Sequence, residues 1–374
     1  MRLISLLNIT FYTKVRSRVV LEMPGKSEPN LFQAGVGKVV ITPPVGFVIA
    51  GPEHPERVST GIADDLLARV IVLESQGNRI ALISLDVWGL AKPVLDSIKL
   101  AITVSTHIPE DSIWLTVTGN GTTPPLWRDE PQYANYTTYL PEQVNGAVQA
   151  ALRSMEPASM GSTGILLPEV STFIDGPGLP GNPALFVVAI NRADGTGIAR
   201  LMNFACPATI TGPSTMWTAD YPGYACWALE QNGAGLSLFS QAPSHDIRPF
   251  DWWIQNTDPT HSARNPKDVH AFGLLLATQA DNAAAETVQR RNVEIAIRAD
   301  EATSIQVLRV GDAFFISTNK PQPNKFARRL RRHFPHSNTI VTANLSGGLF
   351  DAKATFDARG IRRSMALLNE LGAT

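Results

Sequence analysis

A short stretch around residue 250 carries the densest group of side chains that could move protons or hold charge. These are His245, Asp246, Arg248 and Asp251, followed by Trp252 and Trp253. A neighbouring His and Asp can transfer a proton, and an Arg guanidinium can bind or polarise a carbonyl group. A structural interpretation is also open: Asp246 caps a turn, Arg248 pairs with Asp251, and the indoles pack. For Asp246 alone the structural interpretation is favoured, because aspartates in such turns commonly bind backbone N–H groups.

Asp220 and Asp86 are two further carboxylates beside apolar segments. Asp220 is followed by Tyr221 and precedes a helix expected near residues 222–231. Its functional interpretation is a general base or a residue that orients Arg248, and its structural interpretation is an N-cap of that helix. Asp86 ends a buried strand, and the same ambiguity between function and structure applies to it. We predict Asp220 as a catalytic residue and Tyr221 as a substrate contact.

The segment 115–124 runs from an apolar strand directly into a tight loop rich in Gly, Asn and Thr. A loop at the end of a strand is the usual position of a site in an α/β protein. Asn120 and Thr122 are therefore predicted to bind substrate, together with Trp127 and Arg128 at the end of the loop.

Seven tryptophans are a large share of the aromatic residues. Trp88, Trp217, Trp252 and Trp253 fall in or near the predicted site loops, whereas Trp114 and Trp227 are assigned to the core. Indoles commonly line apolar ligand sites, so the predicted partner is a small hydrophobic molecule such as a polyene, acyl chain or terpenoid. The alternative is that these tryptophans only pack.

The hydrophobic pattern indicates a mixed α/β fold, with several sheets and flanking helices in one large domain. Hairpins are predicted from segments 69–74 with 79–86 and 184–190 with 198–205. Further strands are predicted at 112–118, 236–241, 292–298, 304–310, 313–317 and 338–342, and helices at 93–104, 141–154, 224–231, 269–288, 323–333 and 360–371. Residues 156–182 are rich in Gly and Pro and predict a long irregular connection. Residues 1–30 are predicted to be a leader and linker, and residues 31–374 the folded domain.

Composition excludes several classes of protein. A net charge of −1 provides no basic patch for nucleic acid. Two cysteines do not form a disulfide scaffold, and the seven histidines include no His-x-His or His-x-x-x-His pair, so no metal is expected, with a site built from distant residues as the alternative. No other cofactor is expected. No apolar run approaches the roughly 20 residues of a membrane span. A cytoplasmic location is expected, with the secretory pathway as the alternative; the oligomeric state is left open.

Several motifs in order resemble those of the neutral (non-lysosomal) ceramidase family. The loop at 115–124 has the frame of that family's strand leading to Thr-His-Thr-His-Ser-Gly-Pro. Residues 61–69 resemble Gly-Ile-His-Asp-Pro-Leu-Tyr-Ala-Arg, and 203–209 resemble Asn-Phe-Ala-Cys-His-Pro-Thr. Residues 218–224 resemble Ser-Ala-Asp-Phe-Pro-Gly-Tyr, and 241–249 resemble Gln-Gly-x-x-Gly-Asp-x-x-Pro. The resemblance implies a ceramidase-like fold that lacks the large C-terminal β-domain of longer members.

Members of that family are zinc amidases, and this chain departs from them at the positions of their zinc ligands. Gly119 and Gly121 stand at the two loop histidines, Pro207 at the third, and Lys320 at the zinc glutamate. Their zinc tyrosine falls near Ser346. Gly and Pro offer no donor side chain, and Lys would bring a positive charge to a cation. The resemblance therefore implies the scaffold without its metal site.

Cys206 also matches this family, which has a cysteine beside its zinc histidine. A catalytic thiol needs a nearby base and an electropositive setting. A small buried residue in the wall of the site is the favoured interpretation. Lys320 is likewise predicted to contact substrate.

Three functional hypotheses follow from this combination. The first is a repurposed, metal-independent enzyme that cyclises, isomerises or similarly converts a hydrophobic metabolite, using His245, Asp246, Arg248 and Asp220. The second is a non-catalytic ligand-binding pseudoenzyme. The third is zinc-free hydrolysis of an amide or ester by a water that Asp or His activates.

Overall fold

The computed structural model describes residues 31–51, 54–128, 130–167, 170–173, 176–180, 184–249, 266–300, 305–317, 322–342 and 358–373. The helices are α1 Lys92–Thr106, α2 Ala134–Arg153, α3 Asp220–Gln231, α4 Pro266–Ala285, α5 Asn324–His333 and α6 Ala358–Glu370. The first strands are β1 Gln33–Val40, β2 Val48–Gly51, β3 His54–Val58, β4 Gly61–Ile62, β5 Leu67–Ser75, β6 Asn78–Leu85, β7 Ile113–Val117, β8 Glu156–Pro157, β9 Ser159–Leu166 and β10 Ser171–Phe173. The later strands are β11 Gly176–Pro180, β12 Ala184–Asn191, β13 Gly197–Phe204, β14 Met216–Trp217, β15 Leu236–Gln241, β16 Ile247–Pro249, β17 Ile295–Asp300, β18 Ile305–Val310, β19 Ala313–Ser317 and β20 Asn338–Thr342.

Two sheets stack face to face at the centre of the molecule. The first has the strand order β7-β6-β5-β1-β8, and the second has the order β15-β13-β12-β9. Apolar side chains such as Ile71, Trp114 and Leu201 fill the space between them. Polar contacts also cross this layer: the Ser84 hydroxyl donates to the Phe239 carbonyl at 2.5 Å. The pairs β6–β7 and β13–β15 are parallel, so each places two strand ends at the same edge.

Helices cover the outer faces of both sheets and give four layers. Helices α1 and α2 pack on the first sheet, and α3 and α4 pack on the second. Helix α2 lies very close to β1, because a Cβ atom on Gly37 would stand 2.1 Å from the Ala147 carbonyl oxygen. Alternating burial along the helices supplies the apolar stripe that each sheet face requires.

A third sheet has the order β17-β18-β19-β20, with β19 and β20 parallel. Helices α5 and α6 cover it through a separate apolar cluster that includes Phe314, Phe326 and Leu368. Its β17 edge lies near β6, and β20 lies near β9, β12 and β13.

The mixed α/β class predicted from sequence is confirmed, as are both predicted hairpins. The prediction of an irregular connection at 156–182 is wrong, because this segment contains β8, β9, β10 and β11. Gly161 and Gly164 of β9 let its backbone lie against Thr287 and the Phe186 ring, where a Cβ atom would stand 2.8 Å and 2.6 Å away. Such glycines mark close packing within a strand rather than a loop.

Other helix boundaries also differ from the predictions. Helix α2 begins at Ala134 rather than at Pro141, which lies buried inside it. Packing of α2 on α1 and β1 compensates for the backbone bond that proline cannot make. The predicted leader at 1–30 lies outside the described residues. No helix in the described ranges is long and apolar enough to cross a membrane.

Candidate functional site

The loops after β6, β7, β13 and β15 meet at one end of the two stacked sheets. The Gly121 N–H donates to the Ala208 carbonyl at 3.0 Å, which joins the loop after β7 to the loop after β13. The Ala242 N–H donates to the Phe204 carbonyl at 3.0 Å, which joins the loops after β15 and β13. Residues from distant parts of the sequence therefore form one continuous surface at these strand ends.

Asn120 holds the loop after β7 in place. It is completely buried; its Nδ2 donates to the Thr218 carbonyl at 2.5 Å, and its Oδ1 accepts from the Thr122 N–H at 2.9 Å. The Thr123 hydroxyl donates to the Asn120 carbonyl at 3.1 Å. These bonds engage both ends of the Asn120 amide with backbone groups, and Thr122 is buried beneath them.

The positions that match the family's zinc histidines carry no donor side chain, and two of them have geometry that favours glycine. Gly119 has a φ of +69°, a conformation that favours glycine, and a Cβ atom on Gly121 would stand 3.2 Å from Thr209 Cγ2. Pro207 occupies the third position. Within the described part of the chain, no group of three or more His, Cys, Asp or Glu side chains could hold a metal ion.

Asp220 is a buried carboxylate in a strained backbone conformation. Its φ is +52°, and the residue is only 1% exposed. Its Oδ2 accepts from the Thr211 N–H at 2.8 Å, and its Oδ1 accepts from the Tyr221 N–H at 2.7 Å. The predicted N-cap position is instead occupied by Ala219, and Asp220 is the first helical residue. Strain of this kind in a non-glycine residue is concentrated at functional sites, which makes Asp220 the strongest candidate here.

Asp64 faces the same turn from the loop after β4. Its Oδ1 accepts from the Ala219 N–H and its Oδ2 from the Thr218 hydroxyl, both at 2.6 Å. The residue as a whole is exposed, yet loss of water around the carboxyl group raises the pKa of Asp64. The charges of Asp86 and Asp220 raise this pKa further, against the two hydrogen bonds, which lower it. A carboxyl group of this kind is suited to hold and donate a proton.

Tyr221 and Cys206 belong to the packed interior behind this turn. The Tyr221 hydroxyl donates to the Cys206 carbonyl at 2.6 Å, and its ring contacts Phe239 and Phe272. Burial raises the pKa of the Cys206 thiol well above its usual range, and the Asp220 charge adds to this effect. The thiol therefore stays protonated. This fits a packed side chain, because a nucleophilic cysteine must be a thiolate.

A cavity of about 640 Å³ opens beside Asp64 and Asp220. It lies between the β4–β5 region, the segment before α3, and helices α3 and α4. Its lining includes charged and apolar side chains: Lys38, Asp64, Asp65, Arg69, Met216, Asp220, Tyr224, Trp227, Glu230, Val269 and His270. A larger groove of about 810 Å³ lies at the opposite end of the first sheet, beside His107 and Ile295, and does not include the strand-end loops.

A chain of ion pairs forms the deep side of the cavity. Arg69 Nη1 lies 2.7 Å from Asp86 Oδ2, Arg69 Nε lies 3.8 Å from Glu230 Oε1, and Lys38 Nζ lies 2.9 Å from Glu230 Oε2. Arg69 and Asp86 are buried, so each needs the other to remain charged. Cys226 lies near this chain, and burial raises the pKa of its thiol to about 12.

Aromatic side chains form the outer wall. The rings of Tyr224 and His270 stack with centroids 4.3 Å apart, and Trp227 lies 5.1 Å from Tyr224. Trp227 is 50% exposed, so its assignment to the core is wrong. Trp114, which is buried between the sheets, does belong to the core.

The structure separates the described part of the predicted cluster, His245, Asp246 and Arg248, from this cavity. Asp246 Oδ1 accepts from the Asn324 N–H at 2.5 Å and so binds the first turn of α5, in line with the structural interpretation. Arg248 lies in β16 opposite Thr172, and His245 is half-buried in the preceding loop. None of these three described residues lines the cavity. Asp251, Trp252, Trp253 and Lys320 lie outside the described residues.

The other predicted binding residues also have defined positions. Trp217 is fully buried in the core between α2 and the first sheet. Trp127 is half-buried, and Arg128 is exposed and forms ion pairs with Glu130 at 2.7 Å and with Glu56. Of the predicted site residues that the structure describes, Asp220 alone lines the cavity.

Sequence reasoning missed Asp64, Asp65, Tyr224 and His270 as site residues. Asp64 was visible in the motif at 61–69, where it follows the position of a family histidine. His270 lies on a long helix whose orientation the sequence does not reveal. Tyr224 ends the motif at 218–224, which also contains Asp220 and Tyr221.

Comparison with solved structures identifies the architecture. Neutral ceramidase from Pseudomonas aeruginosa superimposes with a TM-score of 0.68 over 85% of this chain and 68% of that one. The chain has the fold of a neutral ceramidase. A second structure, described as a ceramidase complexed with C2, matches with the same TM-score over 84% of this chain.

Sequence identity to these two structures is 14% and 13%, so the likeness concerns the ceramidase-like fold alone. No protein-family model matches the sequence, and no curated protein matches it. The activity must therefore be argued from the residues of this chain.

Proposed function

We propose that this chain is a metal-independent enzyme that converts a hydrophobic metabolite in the cavity beside α3, by proton transfer in a cyclisation, isomerisation or related reaction. The observation that carries the proposal is the strained, buried Asp220 facing a cavity beside Asp64. The ceramidase-like fold supplies the scaffold. The family's three histidine positions, occupied here by Gly119, Gly121 and Pro207, offer no donors to a metal.

The two carboxyl groups suit complementary roles. Asp220 is held by two backbone N–H groups and acts as the base that takes a proton from the substrate. Asp64, whose pKa is raised, acts as the acid that donates one. One proton leaves the substrate and one returns, so an isomerisation balances without another reactant. Exchange with water then restores both groups.

In this proposal, residues 245–248 do not supply the base or the acid. Asp246 anchors the loop to the first turn of α5, and the participation of His245 and Arg248 in catalysis stays a prediction. Alanine at each of these two positions tests it against the same substrate.

The decisive experiment combines metal analysis with turnover. The purified chain is analysed by inductively coupled plasma mass spectrometry and then screened against apolar polyenes, acyl amides and terpenoids with EDTA present. We expect conversion to persist in EDTA. Activity that disappears on chelation and returns with zinc would overturn the proposal. Ligand binding without conversion, altered by Asp220→Asn, would show a binding protein instead.

A further inference from the structure

The cavity beside α3 contains more negative than positive side chains. Four carboxylates line it, from Asp64, Asp65, Asp220 and Glu230, against the two permanent cations Lys38 and Arg69 and one histidine, His270. An excess of one charge on the wall of a cavity concentrates ligands of the opposite charge.

Both permanent cations are already held by carboxylates. Lys38 Nζ lies 2.9 Å from Glu230, and Arg69 lies between Asp86 at 2.7 Å and Glu230 at 3.8 Å. Glu230 therefore faces two cations, and Arg69 has a second counter-ion behind the wall. Neither cation is available to neutralise the remaining acids.

Asp64 and Asp65, in contrast, receive hydrogen bonds from neutral donors. Asp64 accepts from Thr218 and from the Ala219 N–H, and Asp65 accepts from the Thr42 hydroxyl at 2.8 Å. Among the ion pairs of the described residues, neither carboxylate has a cationic partner. Within the described part of the chain, the Asp65 carboxylate at the edge of the cavity thus has no cationic partner, and neither has the neighbouring Asp64.

The opposite wall suits an organic cation with an apolar body. Trp227, which is 50% exposed, offers aromatic surface at the cavity edge beside the stacked Tyr224 and His270 rings, and Met216 and Val269 add apolar surface. Aromatic faces attract ammonium groups, and recognition of quaternary ammonium ligands by such walls is well documented.

We propose that the substrate of this cavity is a cationic amphiphile. Its protonated amine or quaternary ammonium head lies against Asp65 at the edge of the cavity, and its hydrocarbon body lies along Met216 and Trp227. The inference rests on the proposed function in that it names the substrate class for the same cavity. It can nevertheless be tested by binding alone.

The test compares four ligands of equal chain length: octyltrimethylammonium, octylamine, octan-1-ol and octanoate. Affinity for the full chain is measured by isothermal titration calorimetry, with quenching of tryptophan fluorescence as a second readout. We expect both cations to bind about tenfold or more tightly than octanol, and octanoate to bind most weakly. Sodium chloride should weaken the cations selectively. Equal affinity for octanol, or tighter binding of octanoate, would overturn the inference.

Variants localise the effect. Asp65→Asn should reduce affinity for the two cations severalfold and leave octanol unchanged, because it removes one charge from an exposed side chain. Trp227→Leu should weaken octyltrimethylammonium more than octanol. Asp96→Asn, the same change at an exposed carboxylate of α1, serves as the matched control and should alter nothing. A cation preference that survives Asp65→Asn and Asp64→Asn together would contradict the assigned head-group position.

The outcomes separate this inference from the enzyme proposal. Cation-selective binding with no conversion of any amine supports the ligand class and refutes catalysis. Conversion of a neutral metabolite, with no preference for cations, refutes the ligand class and supports catalysis.

Discussion

Two sets of polar side chains lie at the same end of the stacked sheets and have different surroundings. The loop set consists of Asn120, Thr122, Thr123 and Tyr221, which are neutral and buried. The side chains of Asn120, Thr123 and Tyr221 donate hydrogen bonds to backbone carbonyl groups. The cavity set consists of Asp64, Asp65, Asp220, Glu230, Lys38 and Arg69, which are charged and line an open space.

In this chain, the residues that resemble a known motif and the residues that could carry out chemistry are therefore different residues. The loop that keeps the family's frame now supports the backbone of the neighbouring segments. The charged groups that can move protons lie across the turn before α3. Substitutions in the loop set should therefore act on stability, and those in the cavity set should act on ligands and rates.

The largest expected effect is on the rate. Asp220→Asn should lower turnover by on the order of 100-fold, because it removes the base while asparagine tolerates the same positive φ. Turnover of the substrate found in the screen measures this, with Asp96→Asn as the control. Unchanged turnover in a folded Asp220→Asn variant would remove Asp220 from the reaction and weaken the contrast between the two sets.

The next effect is on stability. Asn120→Ala should lower the free energy of unfolding by about 2–4 kcal/mol, since it leaves the Thr218 carbonyl and the Thr122 N–H buried without this partner. Urea denaturation measures it. The folded variant should keep its ligand affinity. Lost affinity with unchanged stability would move Asn120 from the loop set to the ligand site.

A smaller effect is expected at Tyr221. Tyr221→Phe should cost about 1 kcal/mol of unfolding free energy, because it removes one hydrogen bond to Cys206 and keeps the ring packed against Phe239 and Phe272. The same denaturation measurement applies. A rate defect without a stability defect would show that the hydroxyl reaches the substrate.

The smallest effect is a dependence of stability on pH. The fold raises the pKa of Asp64, so the folded chain binds that proton more tightly than the unfolded chain. Its stabilising contribution is complete below the unfolded value of 3.8 and is lost as the pH rises through the folded pKa. The stability of the wild type minus that of Asp64→Asn should therefore fall from pH 4 upwards. Loss of water around the carboxyl group is the main cause of this raised pKa, and the charges of Asp86 and Asp220 add to it. A difference that rises with pH would contradict the assignment.

Much of the fold was predictable from sequence because its strands and helices carry clear periodicity. The hairpin of β5 and β6 has apolar runs on both sides of Gln76 and Gly77, and the parallel strand β7 leads into a glycine-rich loop. Strand β9 was not predicted, because Gly161 and Gly164 resemble loop residues. Glycine is needed at these positions because side chains distant in sequence pack closely against the strand.

The site was less predictable than the fold. Local density of charge pointed to residues 245–253, but Asp246 in fact binds the first turn of α5. Asp220 was found because the motif at 218–224 resembles one near the family's site; its position before a helix alone would have suggested an N-cap. Asp64 and His270 are 206 residues apart in numbering and share a cavity only through the packing of α4 against α3.

Because Cys226 lies on the buried face of α3, chemical labelling of its thiol would report any movement of this helix away from the sheets. Its thiol is buried beside Arg69 and Glu230, so an alkylating reagent reaches it only when that helix lifts. The same opening would let water reach the Arg69–Asp86 pair and widen the floor of the cavity. A bound molecule that joins α3 to the Asp64 loop would hold the helix down and shield the sulfur, so occupancy could be followed by the label on the peptide that contains Cys226, separately from the other buried thiol, Cys206.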